Sequence, residues 1–150
     1  MQMQACDVTR AARGWLGVPF AHQGRSRCGV DCLGLLVMVA SELGLAFDNK
    51  TARACDEVTY GHRPDTLRLY QALARYLVPV DRQIMAPADI ALMQVEGLPQ
   101  HLAIISDYPQ SGQLGMIHAY APARKVVEHR VCDHWNDAVA GVFRLPQLYR

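Results

Sequence analysis

The chain has 150 residues, 51% of them hydrophobic, with a formal net charge of +1. That length suits one domain, 1–150, with a core of its own, and the composition argues against global disorder. The near-neutral balance gives no electrostatic reason to expect nucleic acid or an anionic membrane as partner.

Residues 4–16 are predicted to form a first helix, with Val8, Ala11, Ala12 and Trp15 on one side. The stretch "LGVPFAHQGRSRCG" reads as a loop, rich in Gly and Arg. Asp31 is a good N-cap for a helix from Cys32 to about Leu43, and Gly44 suits the position just past its end. That helix is apolar nearly all round, which predicts a central, buried place. Its longest apolar run, Leu33 to Ala40, is too short to span a bilayer. Residues 46–63 read as an excursion over the surface. Pro64 opens a further helix to about Leu77, with Leu67, Tyr70, Leu73, Ala74 and Leu77 at helical spacing. After Pro79 come five strand-like runs: "ADIALMQV", "QHLAIIS", "GMIHAYA", "KVVEHRV" and "AGVFRL". A short helix, "CDHWNDAV", is expected between the last two. Helices first and strands after predicts an α+β fold, with N-terminal helices packed on one face of an antiparallel sheet of about five strands.

Five cysteines, Cys6, Cys28, Cys32, Cys55 and Cys132, stand at irregular spacings and fit reduced thiols better than a disulfide framework. No basic segment followed by an apolar one opens the chain, so no signal peptide is expected. Cys32 would lie in the first turn of its helix, where unpaired N–H groups and the helix dipole favour a thiolate and predict a lowered pKa. Position alone favours an inert buried thiol, because cysteine is among the most buried residue types.

A base is available if the strands around "DYPQSGQLG" form a hairpin. Centring its turn between Pro109 and Gln110 sets His101 opposite His118, where Cβ atoms lie about 4.5–5.5 Å apart on one face. Cys32 is then a candidate nucleophile, His101 its base and His118 the residue orienting that base. The Cys32 N–H is a candidate oxyanion donor. Two half-buried histidines, each satisfied by a backbone carbonyl, are the structural alternative. Cys28 and Cys32 have C-x₃-C spacing but lack a second close ligand pair, so neither metal nor cofactor is expected. His62, His129 and His134 sit in polar contexts and are expected to face solvent. Arg13, Arg25 and Arg27 read as loop surface or as guides for an anionic ligand.

At these residues the sequence resembles the NlpC-type cell-wall cysteine peptidases, a bacterial and phage branch of the papain-like fold. The stretches "GVPFAHQGRSRCGVDCLGLL", "APADIALM", "QHLAIIS" and "MIHAYA" carry the likeness in the family's order, from about Trp15 to Pro146. "PFAHQGRS", "VDCLGLL", "MIHAY" and "AGVFRLP" are similar to the small phage and gene-transfer-agent members in particular. The resemblance implies Cys32 as nucleophile, His101 as general base and His118 as the third, polar residue. It implies a role for Asp31 in binding the free amine of a short peptide, beside its role as N-cap.

Phe20 stands where many relatives have Tyr, which leaves His22 and Gln23 as the nearest polar candidates in the oxyanion region. Ala88 stands where glycine is usual. The implied reaction is hydrolysis of the γ-D-glutamyl–diaminopimelate bond of peptidoglycan stem peptides through a thioester. The implied setting is cytoplasmic synthesis and delivery to the cell envelope with phage tail proteins. A papain-like amidase or acyltransferase with the same triad, and a non-catalytic tail component, are the competing readings.

Overall fold

The computed structural model describes residues 2–45, 70–71, 73–95, 98–108 and 112–149. Helix α1 is Ala5–Arg13, opened by a capping box in which the Gln4 N–H donates to Asp7 Oδ2 at 2.8 Å. It stops at Gly14, short of the expected end at 16. Trp15 is nonetheless buried, and its indole N–H donates to Glu42 Oε1 at 3.0 Å. The loop that follows contains a two-residue hairpin the sequence did not announce: β1, Arg25–Ser26, against β2, Gly29–Val30. Helix α2, Cys32–Glu42, comes next and buries Leu33, Leu35, Leu36, Val39 and Ala40.

The excursion at 46–63 and the start of the Pro64 helix lie outside the described residues. Residues 70, 71, 73 and 74 are helical, and Leu73 and Leu77 enter the core. Among the described residues the sheet is antiparallel with six strands, where about five were expected. They are β3 (Val78–Val80), β4 (Ile90–Val95), β5 (Leu98–Asp107), β6 (Leu114–Tyr120), β7 (Lys125–Arg130) and β8 (Val139–Arg144), in the order β3-β8-β4-β5-β6-β7. The added strand, β3, is a short edge containing Pro79, a residue tolerated there because an edge leaves its missing N–H unneeded.

Alternation divides the sheet residues between two cores. Ile90, Leu92, Leu102, Ile104, Ile117 and Ala119 face α1 and α2. Ala91, Met93, Ala103, Ile105 and Met116 face the other way, toward Trp135 on the short helix α3, Asp133–Asp137. The sheet is therefore covered on both faces, where the sequence pattern pointed to one. Fully burying a Leu or Ile contributes about 1.5–3 kcal/mol, so the α2 face is the main anchor of the helix that carries Cys32.

Candidate active site

The site begins with the cap of α2. Asp31 is 3% exposed, and its Oδ1 accepts the Gly34 N–H at 2.7 Å. Oδ2 accepts the Gln23 N–H at 2.8 Å, and the Arg25 guanidinium lies 3.2 Å from Oδ1. One carboxylate thus caps the helix and fastens the preceding loop to it. The loop comes close because residue 34 has no side chain: a Cβ there would lie 2.1 Å from the Gly24 carbonyl oxygen. This is the physical reason for glycine in "DCLGLL".

Arg13, at the end of α1, and the loop residues Arg25 and Arg27 are all tied down. Arg25 pairs with Asp31, Arg27 reaches Glu42 and stacks over Trp15, and Arg13 binds Glu128 and Asp107. They act as fasteners; Arg27 is also exposed on the loop, as the surface reading expected. Phe20 packs on the α2 core, its N–H donating to the Arg124 carbonyl at 2.9 Å. His22 and Gln23 are exposed on the same loop, with Gln23 in the left-handed region at φ 58.

Cys32 is half-buried at the tip of α2. Its sulfur meets the sheet where the sheet opens. Pairing of β5 with β6 runs from Asp107↔Leu114 to Ile104↔Ile117 and, among the described residues, no further. Successive amides point to opposite edges of a strand. The Ile105 N–H donates toward the β4 side, to Asp89, so the Leu102 N–H points toward β6. In place of a β6 carbonyl it meets the Cys32 sulfur. His101 is the residue just before.

The charge state differs from the expectation of a lowered pKa. Burial pushes the Cys32 thiol up to about 11, and the neighbouring Asp31 carboxylate adds to the rise. The amides of Leu102, Leu33 and Cys32 itself pull downward, as a helix head should, and burial outweighs them.

His101 and His118 meet directly, with Nε2 of His101 2.5 Å from Nδ1 of His118. The register that brings them together is offset from the expected one. Continuing Ile104↔Ile117 along the strands sets His118 opposite Ala103 and His101 opposite Tyr120. A shift of two positions preserves the face, so the histidines become diagonal neighbours. They are 3% and 0% exposed. Burial, and then nearby His129, lowers His101 to about 4. Burial, followed by His101 and His129, lowers His118 to about 2.

Two residues of this cluster escaped the sequence reading. His129, expected in solvent, is half-buried, and its Nε2 lies 2.8 Å from Nε2 of His118. The turn between β6 and β7 was the available signal, because it pairs Met116 with His129 and so sets His129 diagonal to His118. Trp135 covers all three rings, with centroids 6.0, 5.2 and 5.7 Å from those of His101, His118 and His129.

A cysteine at the tip of a capped helix, set against an antiparallel sheet with paired histidines on adjacent strands, belongs to a papain-like α+β fold. Solved structures place it among NlpC/p60 folds. The chain superposes on the NlpC/p60 domain of the peptidoglycan hydrolase SagA with a TM-score of 0.62 at 17% identity, covering 95% of this chain and 100% of that one. An NlpC/p60 family protein from Bacillus cereus gives 0.65 at 21% identity, over 97% of this chain and 41% of that longer one. An N-acetylmuramoyl-L-alanine amidase from Bacteroides uniformis gives 0.61 at 13%, over 94% and 98%. No family model and no curated protein matches the sequence.

Proposed function

We propose that the protein is a cysteine peptidase of NlpC type that cuts stem peptides of bacterial peptidoglycan. The observation that carries this is the Cys32 thiol against the Leu102 amide, one residue along β5 from a buried His101 bonded to His118. Cys32 attacks the amide carbonyl carbon while His101 takes the thiol proton. With the thiol near 11 and the imidazole near 4, the resting pair is neutral, so proton transfer accompanies attack. The Cys32 N–H stabilises the oxyanion. His101 returns the proton to the leaving amine, a thioester forms, and water hydrolyses it through the same base. His118 holds His101.

Phe20, His22 and Gln23, on the loop that Asp31 fastens, are the assigned substrate-binding residues. Asp31 contributes through that loop and through its charge toward a substrate amine. The favoured bond is γ-D-glutamyl–diaminopimelate, in a phage-tail setting. The SagA structure, described as that of a peptidoglycan hydrolase, favours this substrate class. The amidase among the similar structures favours a second reading, cleavage of the muramoyl–L-alanine amide by the same residues.

Mass spectrometry of digested muropeptides tests both. Products cut between D-glutamate and diaminopimelate support the first reading, and release of intact stem peptides supports the second. Cys32→Ala should abolish cleavage, and His101→Ala should lower it by at least about 10²-fold. His118→Ala should reduce the rate less, because an orienting group acts through the base. Undiminished cleavage by folded Cys32→Ala or His101→Ala would reject the triad.

A further inference from the structure

The histidine cluster has a direction. The chain of contacts is His101 Nε2 to His118 Nδ1 at 2.5 Å, His118 Nε2 to His129 Nε2 at 2.8 Å, and His129 Nδ1 to the Arg130 carbonyl oxygen at 2.9 Å. A carbonyl oxygen only accepts, so the last contact requires a proton on His129 Nδ1. A neutral imidazole carries one proton, so His129 Nε2 has a lone pair and must accept from His118 Nε2–H. His118 Nδ1 is then a lone pair and must accept from His101 Nε2–H. The lone pair of His101 is left on Nδ1.

We propose that His129 is a positioning residue of this site. Anchored to the Arg130 carbonyl, it fixes the tautomers of His118 and His101, so that the base presents Nδ1 to Cys32. The argument about the base rests on the function proposed above, whereas the tautomer order stands on the hydrogen bonds of three neutral rings. Without an acceptor at residue 129, the His118 Nε2–H is buried with no partner, which is costly enough to move its proton to Nδ1. That proton opposes the His101 Nε2–H, and His101 in turn moves its own proton to Nδ1, where it no longer accepts from the thiol. The half-buried His129 end also lets the charge of a protonated His101 spread toward solvent along the chain.

The test is ¹⁵N NMR of the imidazoles of the full chain at neutral pH, in the wild type, His129→Gln and His129→Phe. The Gln side chain offers an oxygen near the place of Nε2, and Phe offers no acceptor. In the wild type and His129→Gln, His101 and His118 should be the Nε2–H tautomers. In His129→Phe a substantial Nδ1–H population should appear, with kcat on muropeptide down about tenfold and KM nearly unchanged. His129→Gln should recover most of that kcat. Nδ1–H on His101 in the wild type overturns the proposal. So do an unchanged tautomer in folded His129→Phe, or equal losses in both variants with unchanged tautomers, which describe a merely structural residue. If His129→Phe does not fold, the wild-type tautomers and His129→Gln decide. A wild type that cleaves no peptidoglycan but shows the Nε2–H order defeats the functional reading and leaves the tautomer assignment standing.

Discussion

Ala88 adopts φ 76, a left-handed backbone, while fully buried at 0% exposure. Its N–H donates to the Ile105 carbonyl at 2.8 Å, so the turn into β4 holds it there. That conformation costs an L-residue about 1–2 kcal/mol, because Cβ crowds the following carbonyl. Glycine would relieve the strain and lose one buried methyl, worth about 0.8 kcal/mol. Ala88→Gly is therefore expected to leave stability unchanged or raise it by up to about 1 kcal/mol. Ala91→Gly, equally buried but within β4, should destabilise by about 1 kcal/mol or more. Urea unfolding of the two variants checks this, and equal losses would remove the strain argument. Local chemistry of this kind was legible in the sequence. Asp31 as a cap follows from its neighbours alone. The raised pKa of Cys32 does not, because it comes from burial against β5, a segment seventy residues away in the chain.

Elements meet at the head of α2, where the loop between Trp15 and Val30 closes over the first turn. Gly34 decides how close they come. In Gly34→Ala the new Cβ meets the Gly24 carbonyl at 2.1 Å and the Arg25 guanidinium at 2.9 Å. The first of these is backbone, so the loop itself must move. Overpacking of this sort typically costs about 1–3 kcal/mol. Cleavage should fall further than the stability loss explains, because the displaced loop carries Phe20, His22 and Gln23 and shares the Asp31 anchor. Thermal melting beside a muropeptide assay separates the two effects; full activity in a folded variant would detach the loop from the site. Element type read well from the sequence because period and capping are local. Register read only to its parity. His101 and His118 reached the same face although the pairing lay two positions away, because the side-chain period is two. β3 and the β1–β2 hairpin are too short to leave a periodic signal. Trp135 over the histidines is a contact between α3 and β5–β7 that no spacing encodes.

At the scale of the whole molecule, one sheet carries two cores, and the second buries His101 and His118. Trp135, Tyr120 and His129 surround His118, and Trp135, Tyr120 and His118 surround His101. Among the described residues, burial and neighbouring histidines set both shifts, and no carboxylate acts to favour the charged forms. The folded pKa values, about 4 for His101 and about 2 for His118, lie below the ordinary 6.5. Between pH 6.5 and 4 the unfolded chain therefore binds protons that the folded chain refuses. Stability from this source is complete above pH 6.5 and declines as pH falls toward 4. The slope is at most roughly 1.4 kcal/mol per pH unit for each of the two groups. Ordinary carboxylates titrate mostly below this window, near 4, so the range from pH 7 to 5 isolates the histidines. Urea midpoints should drop steadily across that range in the wild type. His118→Asn, which keeps a polar group but removes a titrating one, should show a shallower decline. A flat wild-type profile would mean that the histidines take up protons in the folded state. The sheltered cluster, and with it a neutral His101 ready to accept the Cys32 proton at mildly acidic pH, would then be lost.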